Sequence, residues 1–212
     1  MHITVAAATY NEIGITAEWL KTQGTSVEVL ITGIGAAITA HSLSRHIYAQ
    51  RPALVIQAGV AGSFVEALPP ETVAFVNEEV FADLGAIDLE GPVDIFDLGL
   101  AAVNDHPFKN KMLVNPDTRR WQKYQLPFVK GATINCVSST TAQVQRIKAK
   151  YDPAVESMEG AALHYVCLME NIPFIQLRSI SNYVGERDKK NWKLKEAITI
   201  LNHHLKKIIA EI

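Results

Sequence analysis

Cysteine is nearly absent from this sequence. Cys136 and Cys167 are the two in 212 residues, and neither sits in a CxxC or Cys/His spacing. That argues against a disulfide-stapled scaffold or a zinc-ribbon site, and it points to reduced thiols in the cytoplasm. A basic excess is missing too. With 20 Lys and Arg against 22 Asp and Glu, the formal net charge is −2, so no nucleic-acid surface is expected. No apolar run approaches the roughly 20 residues of a membrane helix. No charged and then apolar leader opens the chain, so neither a membrane span nor a secretory signal is expected. What remains, at 48% apolar residues, reads as one domain over 1–212 with a substantial core.

What is present is an alternation of short β-rich runs with longer helical patterns. Strands are expected at 2–8, 27–33, 53–59, 72–80, 132–137 and 172–180. Ile38, Leu43 and Ile47 recur at helical spacing in 36–50, and further helices are expected over 139–150, 160–170 and 190–211. Residues 81–120 are less regular, with Gly-Pro at 91–92 and Asn-Pro at 115–116. Strand-helix-strand order implies parallel pairing through right-handed crossovers, hence an α/β fold. In such sheets ligands gather at the carboxyl ends of strands. The candidate segments are therefore Thr9 to Glu12, Gly33 to Gly35, Gly59 to Phe64, Ser138 to Thr141, Glu156 to Glu159 and Arg178 to Asn182.

"ITGIG" (31–35) opens a helix as a dinucleotide fingerprint does, but the next strand carries Gln57 where that fingerprint wants a carboxylate. A tight turn or another ligand contact is the better reading. "QAGVAGSF" (57–64) is a second glycine-rich exit, and taken alone it reads as a crossover turn needing positive φ. Glu156 and Glu159 flank Met158 where a strand gives way to the 160–170 helix. A first-turn acid suits the helix dipole. A carboxylate aimed into a cleft there would equally suit two adjacent hydroxyls, as on a ribose.

"VESMEGAA…NIPFIQLRSISN", with "ITGIG" and "AGVAGSF", resembles the purine nucleoside phosphorylase/nucleosidase superfamily from residue 2 to about 205. Within it, "RSISNYVGERD" and "ATYNE" are most similar to the futalosine hydrolases of menaquinone biosynthesis. The resemblance implies a three-layer αβα sandwich with a central mixed sheet. It also implies hydrolysis of the N-ribosyl bond of futalosine to hypoxanthine and dehypoxanthine futalosine, without metal or organic cofactor. A homo-oligomer, dimer or tetramer, is implied, with a small-molecule nucleoside as the ligand.

By that resemblance Met158 lies against the ribose and Glu159 binds its hydroxyls. Glu12 takes the place of a water-activating glutamate, and Arg178 matches an arginine that helps hold the water. In the loop of Val60, Ala61 and Gly62, Val60 stands where a phosphorylase would show serine. No Arg or Lys precedes Lys21, and an anionic Glu12 would repel phosphate. Water is therefore the expected nucleophile. Asn182 replaces the aspartic acid of adenine-releasing nucleosidases. An amide offers an acceptor and a donor together, which suits N7–H and O6 of a 6-oxopurine. Ser181 is expected to orient that amide. Ser138 to Thr141 fall where the superfamily brings a base-contacting loop, and Thr140 is counted among the base-binding residues, although the spacing singles out none of the four. Phe64, Tyr183 and Trp192 are candidates for stacking.

Overall fold

A computed structural model describes residues 2–24, 26–88 and 92–212; Gly91, the first residue of the Gly-Pro pair, lies outside them. Five strands carry the sheet around the site: β1 (Ile3–Ala7), β2 (Val27–Ile31), β3 (Leu54–Ser63), β4 (Val73–Phe81) and, after the short hairpin β5 (Gly85–Ile87) and β6 (Pro92–Asp94) and the two-residue β7 (Leu113–Val114), β8 (Phe128–Thr133). β9 (Val155–Ser157) and β10 (Phe174–Tyr183) complete it. The order is β10-β4-β8-β9-β3-β1-β2, and β10 also pairs with β3, so five strands close into a circuit. Pairing is mixed: β1, β2 and β3 run parallel, while β4 is antiparallel to β10 and β9 is antiparallel to β3. This is the mixed α/β architecture expected, with a sheet more strongly closed than a flat sandwich.

Side-chain alternation explains why helices cover both faces. Val5, Ile56 and Ile175 point to a core built with Ile13 and Leu20 of α1 (Tyr10–Leu20) and Leu201, Leu205 and Ile208 of the terminal α5 (Leu194–Ala210). Their chain neighbours Ala6, Val55 and Phe174 point the other way. They meet Leu43 and Ile47 of α2 (Ala36–Gln50) and Leu163, Val166 and Cys167 of α4 (Gly160–Glu170). Each such fully buried large side chain contributes about 1.5–3 kcal/mol, and both helical layers draw on that term. Among the described residues no helix is long and apolar enough to cross a membrane.

Several boundaries differ from the sequence pattern, and each difference bears on the site. The strand expected at 132–137 lies at Phe128–Thr133, because parallel pairing with β4 takes up its earlier half. Ile134 to Ser138 instead leave the sheet over a cavity. The helix expected at 139–150 is α3 (Thr141–Tyr151), one residue beyond its Thr140 cap. The terminal helix begins only at Leu194, after a short 3-10 turn, Lys189–Asn191. β3 runs on through Ser63, so the "QAGVAGSF" glycines lie in a strand rather than in a crossover turn, and neither Gly59 nor Gly62 has positive φ. Gly59 is needed for close approach: a Cβ there would collide with Arg178 Nη1 and Glu12 Oε1. β10 likewise continues through Asn182, with a bulge between Ile180 and Asn182 that leaves Ser181 out of the pairing.

Candidate active site

The strand ends converge on a cavity of about 360 Å³ whose walls include Glu12, Val60, Ala61, Gly62, Met158, Glu159, Ser181 and Asn182. Eight of the ten residues singled out from the sequence therefore share one space. Arg178 and Thr140 are not on its walls.

Glu12 is third in its helix, and this position fixes it. Its Oε2 accepts from Thr9 N at 3.0 Å and Thr9 Oγ1 at 3.1 Å, the reciprocal bond that starts α1. Its Oε1 accepts from Val60 N at 3.1 Å. The carboxylate is thus both a helix-start acid and a cavity group, and three donors hold it in one orientation. Of roughly four lone-pair positions, one remains free.

Arg178 lies directly behind that wall, 1% exposed. Its Nη1 donates to Val60 O at 3.3 Å and its Nη2 to Gln57 Oε1 at 3.0 Å. Glu159 Oε2 is 3.5 Å from Nη1, while Glu159 Oε1 accepts from Gly35 N at 3.1 Å. So the backbone of Val60 is held on both sides, by Glu12 at its N–H and by Arg178 at its carbonyl. The Gly-rich turn of 33–35 finds its task here as well. Gly33 (φ 87°) and Gly35 (φ 94°) adopt positive φ, and the turn delivers one N–H to Glu159.

At the other end, Ser181 Oγ donates to Asn182 Oδ1 at 2.7 Å, and Asn182 Nδ2 donates to Tyr183 O at 2.8 Å. A carbonyl can only accept, so the nitrogen must be the atom beside Tyr183 O, and the amide has one orientation. Each polar atom spends one position on the protein. One acceptor position and one donor position remain.

Of the 138–141 loop, Ser138 is the residue that reaches the cavity. Its N–H donates to Glu156 Oε1 at 3.1 Å and its hydroxyl to Glu156 Oε2 at 2.5 Å. Burial pushes the Glu156 carboxyl above its ordinary range, and the two Ser138 donors oppose that shift. Thr140 is exposed and caps α3, its side chain accepting from Gln143 N. Among the aromatics, Trp192 lines the cavity, Phe64 belongs to a core cluster with Val80 and Ile147, and Tyr183 is exposed. Leu194 and Ile198 of α5, with Ile34, add apolar surface that the sequence did not single out.

Among the described residues the lining contains no lysine or arginine, and no group of three or more His, Cys, Asp or Glu is placed to hold a metal ion. What the arrangement can do follows from its parts. A fixed carboxylate can take a proton from water, a second can bind a diol, and an oriented amide can read the edge of a heterocycle.

Residues 13–212 match the family model described as the phosphorylase superfamily. The chain belongs to that superfamily. It is 28% identical over 195 residues to a futalosine hydrolase of Thermus thermophilus, covering 91% of this chain and 85% of that one. It is also 28% identical to a futalosine hydrolase of Streptomyces coelicolor over 98% of this chain and 95% of the other. Among solved structures, a 5′-methylthioadenosine/S-adenosylhomocysteine nucleosidase of Helicobacter pylori superposes with a TM-score of 0.81 over 99% of this chain and 98% of that one. At 18% identity that likeness shows the fold. Members of the superfamily thus share the mixed sheet and helical layers that bring Glu12, Glu159 and Asn182 together here.

Proposed function

We propose that this chain is an N-ribosyl hydrolase that releases hypoxanthine from futalosine. The observation that carries the reading is the cavity itself: a carboxylate held at one end by three donors, an oriented amide at the other and, among the described residues, no lysine or arginine on the walls. Phosphate as nucleophile needs positive charge and hydroxyl donors beside the anomeric carbon. An anionic Glu12 beside Val60 supplies the opposite, and it suits water.

In the proposed reaction Glu12 takes one proton from water as the water oxygen bonds to C1′. The C1′–N9 electron pair passes into the purine, and the sugar goes through a cation-like state. The purine anion takes up one proton from solvent, and Glu12 returns its proton to solvent. Glu159 holds the ribose hydroxyls and its charge favours that state. Met158 packs beside the sugar. Arg178 acts from behind, fixing the Val60 peptide and one oxygen of Glu159. The free donor of Asn182 meets O6 or N7 of a 6-oxopurine, whereas the 6-amino group of adenine would face it donor to donor. The identity to two futalosine hydrolases supports the 5′ part of this reading, as does the apolar rim of Ile34, Trp192, Leu194 and Ile198. Exposed Ile34 and, on α2, Ile38 and Tyr48 support the homo-oligomer.

The test is release of free base from futalosine, inosine, aminofutalosine and methylthioadenosine in parallel. Hypoxanthine from futalosine, far ahead of the other three, is expected. Adenine from methylthioadenosine as the fastest reaction would overturn the reading of Asn182, and equal rates on inosine and futalosine would overturn the 5′ assignment.

A further inference from the structure

Helix α4 is capped from another strand. Glu159 is its N-cap residue, the position whose side chain ordinarily accepts from the first free N–H groups of a helix. Here that side chain caps nothing: one oxygen accepts from the Gly35 N–H, and the other faces the Arg178 guanidinium. The first turn holds no acidic residue either. Its free N–H groups find acceptors elsewhere. Gly160 N donates to Ser157 Oγ at 3.3 Å, and Ala161 N donates to Thr133 Oγ1 of β8 at 2.7 Å, the shorter bond.

Glu79 of β4 fixes what Thr133 can do. The Thr133 hydroxyl has one proton, which goes to Glu79 Oε2 at 3.0 Å, so a lone pair of Oγ1 is left for the Ala161 N–H. Gln176 Nε2 holds the other Glu79 oxygen at 2.9 Å. The helix start also rests directly on this group: a Cβ at Gly160, the residue after Glu159, would collide with Glu79 Oε1 and Gln176 Nε2. Glu79, Thr133 and Gln176 are all buried, and none is on the cavity walls. Burying a carboxyl in such a core is costly, and an apolar residue would serve packing alone better.

We propose that Glu79 and Thr133 are positioning residues that cap α4 in place of Glu159, and so free and aim the Glu159 carboxylate for the ribose hydroxyls. This inference rests on the proposed nucleosidase function, in which Glu159 holds those hydroxyls. With the Thr133 oxygen removed, the Ala161 N–H loses its acceptor, and the N-cap side chain of Glu159 is the group placed to turn back onto it. Glu159 would then leave the sugar.

The experiment measures binding by titration calorimetry for the wild type, Thr133→Val, Thr133→Ser, Glu79→Gln and Glu159→Gln. The ligands are 9-deazainosine, whose C–C glycosidic bond cannot be hydrolysed, its 2′,3′-dideoxy analogue, and hypoxanthine. The wild type is expected to favour the riboside over the dideoxy analogue at least about tenfold, the value of one hydrogen bond to a charged group. E159Q should bring the two within about threefold. T133V and E79Q should each narrow the preference at least about threefold while hypoxanthine affinity stays within about twofold, because the base does not touch Glu159. T133S keeps the hydroxyl and should keep the preference. If E159Q narrows the preference and either T133V or E79Q retains it, or if they weaken all three ligands alike, the pair only packs the core and the inference falls, while the ribose role of Glu159 stands. A wild type without the preference, or an E159Q that retains it, overturns that ribose role and this inference together. If T133V does not fold, Thr133→Ala takes its place, with the same narrowing expected and an unchanged preference overturning the assignment.

Discussion

Two buried carboxylates lie at opposite ends of one polar seam, and they are held in different ways. Glu159, at the cavity end, has Arg178 within 3.5 Å and the Gly35 N–H on its other oxygen. Glu79, at the sealed end, is fully buried and accepts only from neutral groups, Gln176 Nε2 at 2.9 Å and Thr133 Oγ1 at 3.0 Å. Gln176 and Arg178 are two residues apart on β10, so both lie on one side of the strand. Burial pushes the Glu79 carboxyl up to about 7, against the pull of Gln176, the Arg178 charge and Thr133. His164, buried beside Phe174, is held down at about 4, again by burial. At the cavity end the carboxylate faces a guanidinium, and at the sealed end burial among neutral donors favours the protonated form. Sites that must hold an anion ready need the first arrangement, whereas the second specifies packing and makes stability depend on pH.

The largest effect should come from removing the cation that separates the two ends. Arg178→Met leaves Glu159 buried without its counter-charge and is expected to destabilise the fold by about 3–5 kcal/mol in urea denaturation. A loss below about 1 kcal/mol would mean that the pairing contributes little.

Glu12→Gln tests the cavity end alone. The amide oxygen can still accept from both Thr9 donors, its NH₂ then faces the Val60 N–H at a local cost, and it cannot take a proton. A fall in kcat of about 10²–10⁴-fold with KM nearly unchanged is expected in steady-state kinetics. Full activity would remove Glu12 from the chemistry.

The sealed end is tested by pH. A carboxyl whose folded pKa lies above its unfolded value binds more protons in the folded state, so stability falls as pH rises between the two values. For Glu79 the window runs from about 4.5 to about 7, and the loss is up to roughly 3 kcal/mol. Glu79→Gln should flatten that part of the stability profile. An unchanged slope would place the titration elsewhere.

Asn182→Asp should give the smallest change. The new oxygen would face Tyr183 O, so the acid must stay protonated or turn away. The preference for 6-oxo over 6-amino nucleosides should narrow by about tenfold, read from competing substrates.

Much of this was legible in the sequence because strands end where small residues begin. Glu12, Met158 and Glu159 follow such ends, Asn182 lies within the last residues of β10, and motif order placed all four in one cleft. The role of Gly59 was not legible. It is explained by Arg178 and Glu12, both far along the chain, so alone it reads as a turn residue. Ile134 and Val137 have β-favouring side chains, yet the sheet pairs the residues before them. That Asn182 of β10 stands beside Gly62 of β3, and Gly62 beside Glu156 of β9, needs register across three strands and a bulge, which no local pattern encodes. Arg178 read as a direct participant, but its alternation on β10 turns it to Gln57 and Val60, behind the wall.

The central claim is that water, activated at Glu12, attacks C1′ in a cavity without cations. The most direct measurement follows the sugar product from futalosine with and without added phosphate. Hydrolysis predicts a free reducing sugar, formed at the same rate in both. A sugar 1-phosphate, or hypoxanthine release that requires phosphate, would contradict the account at its centre.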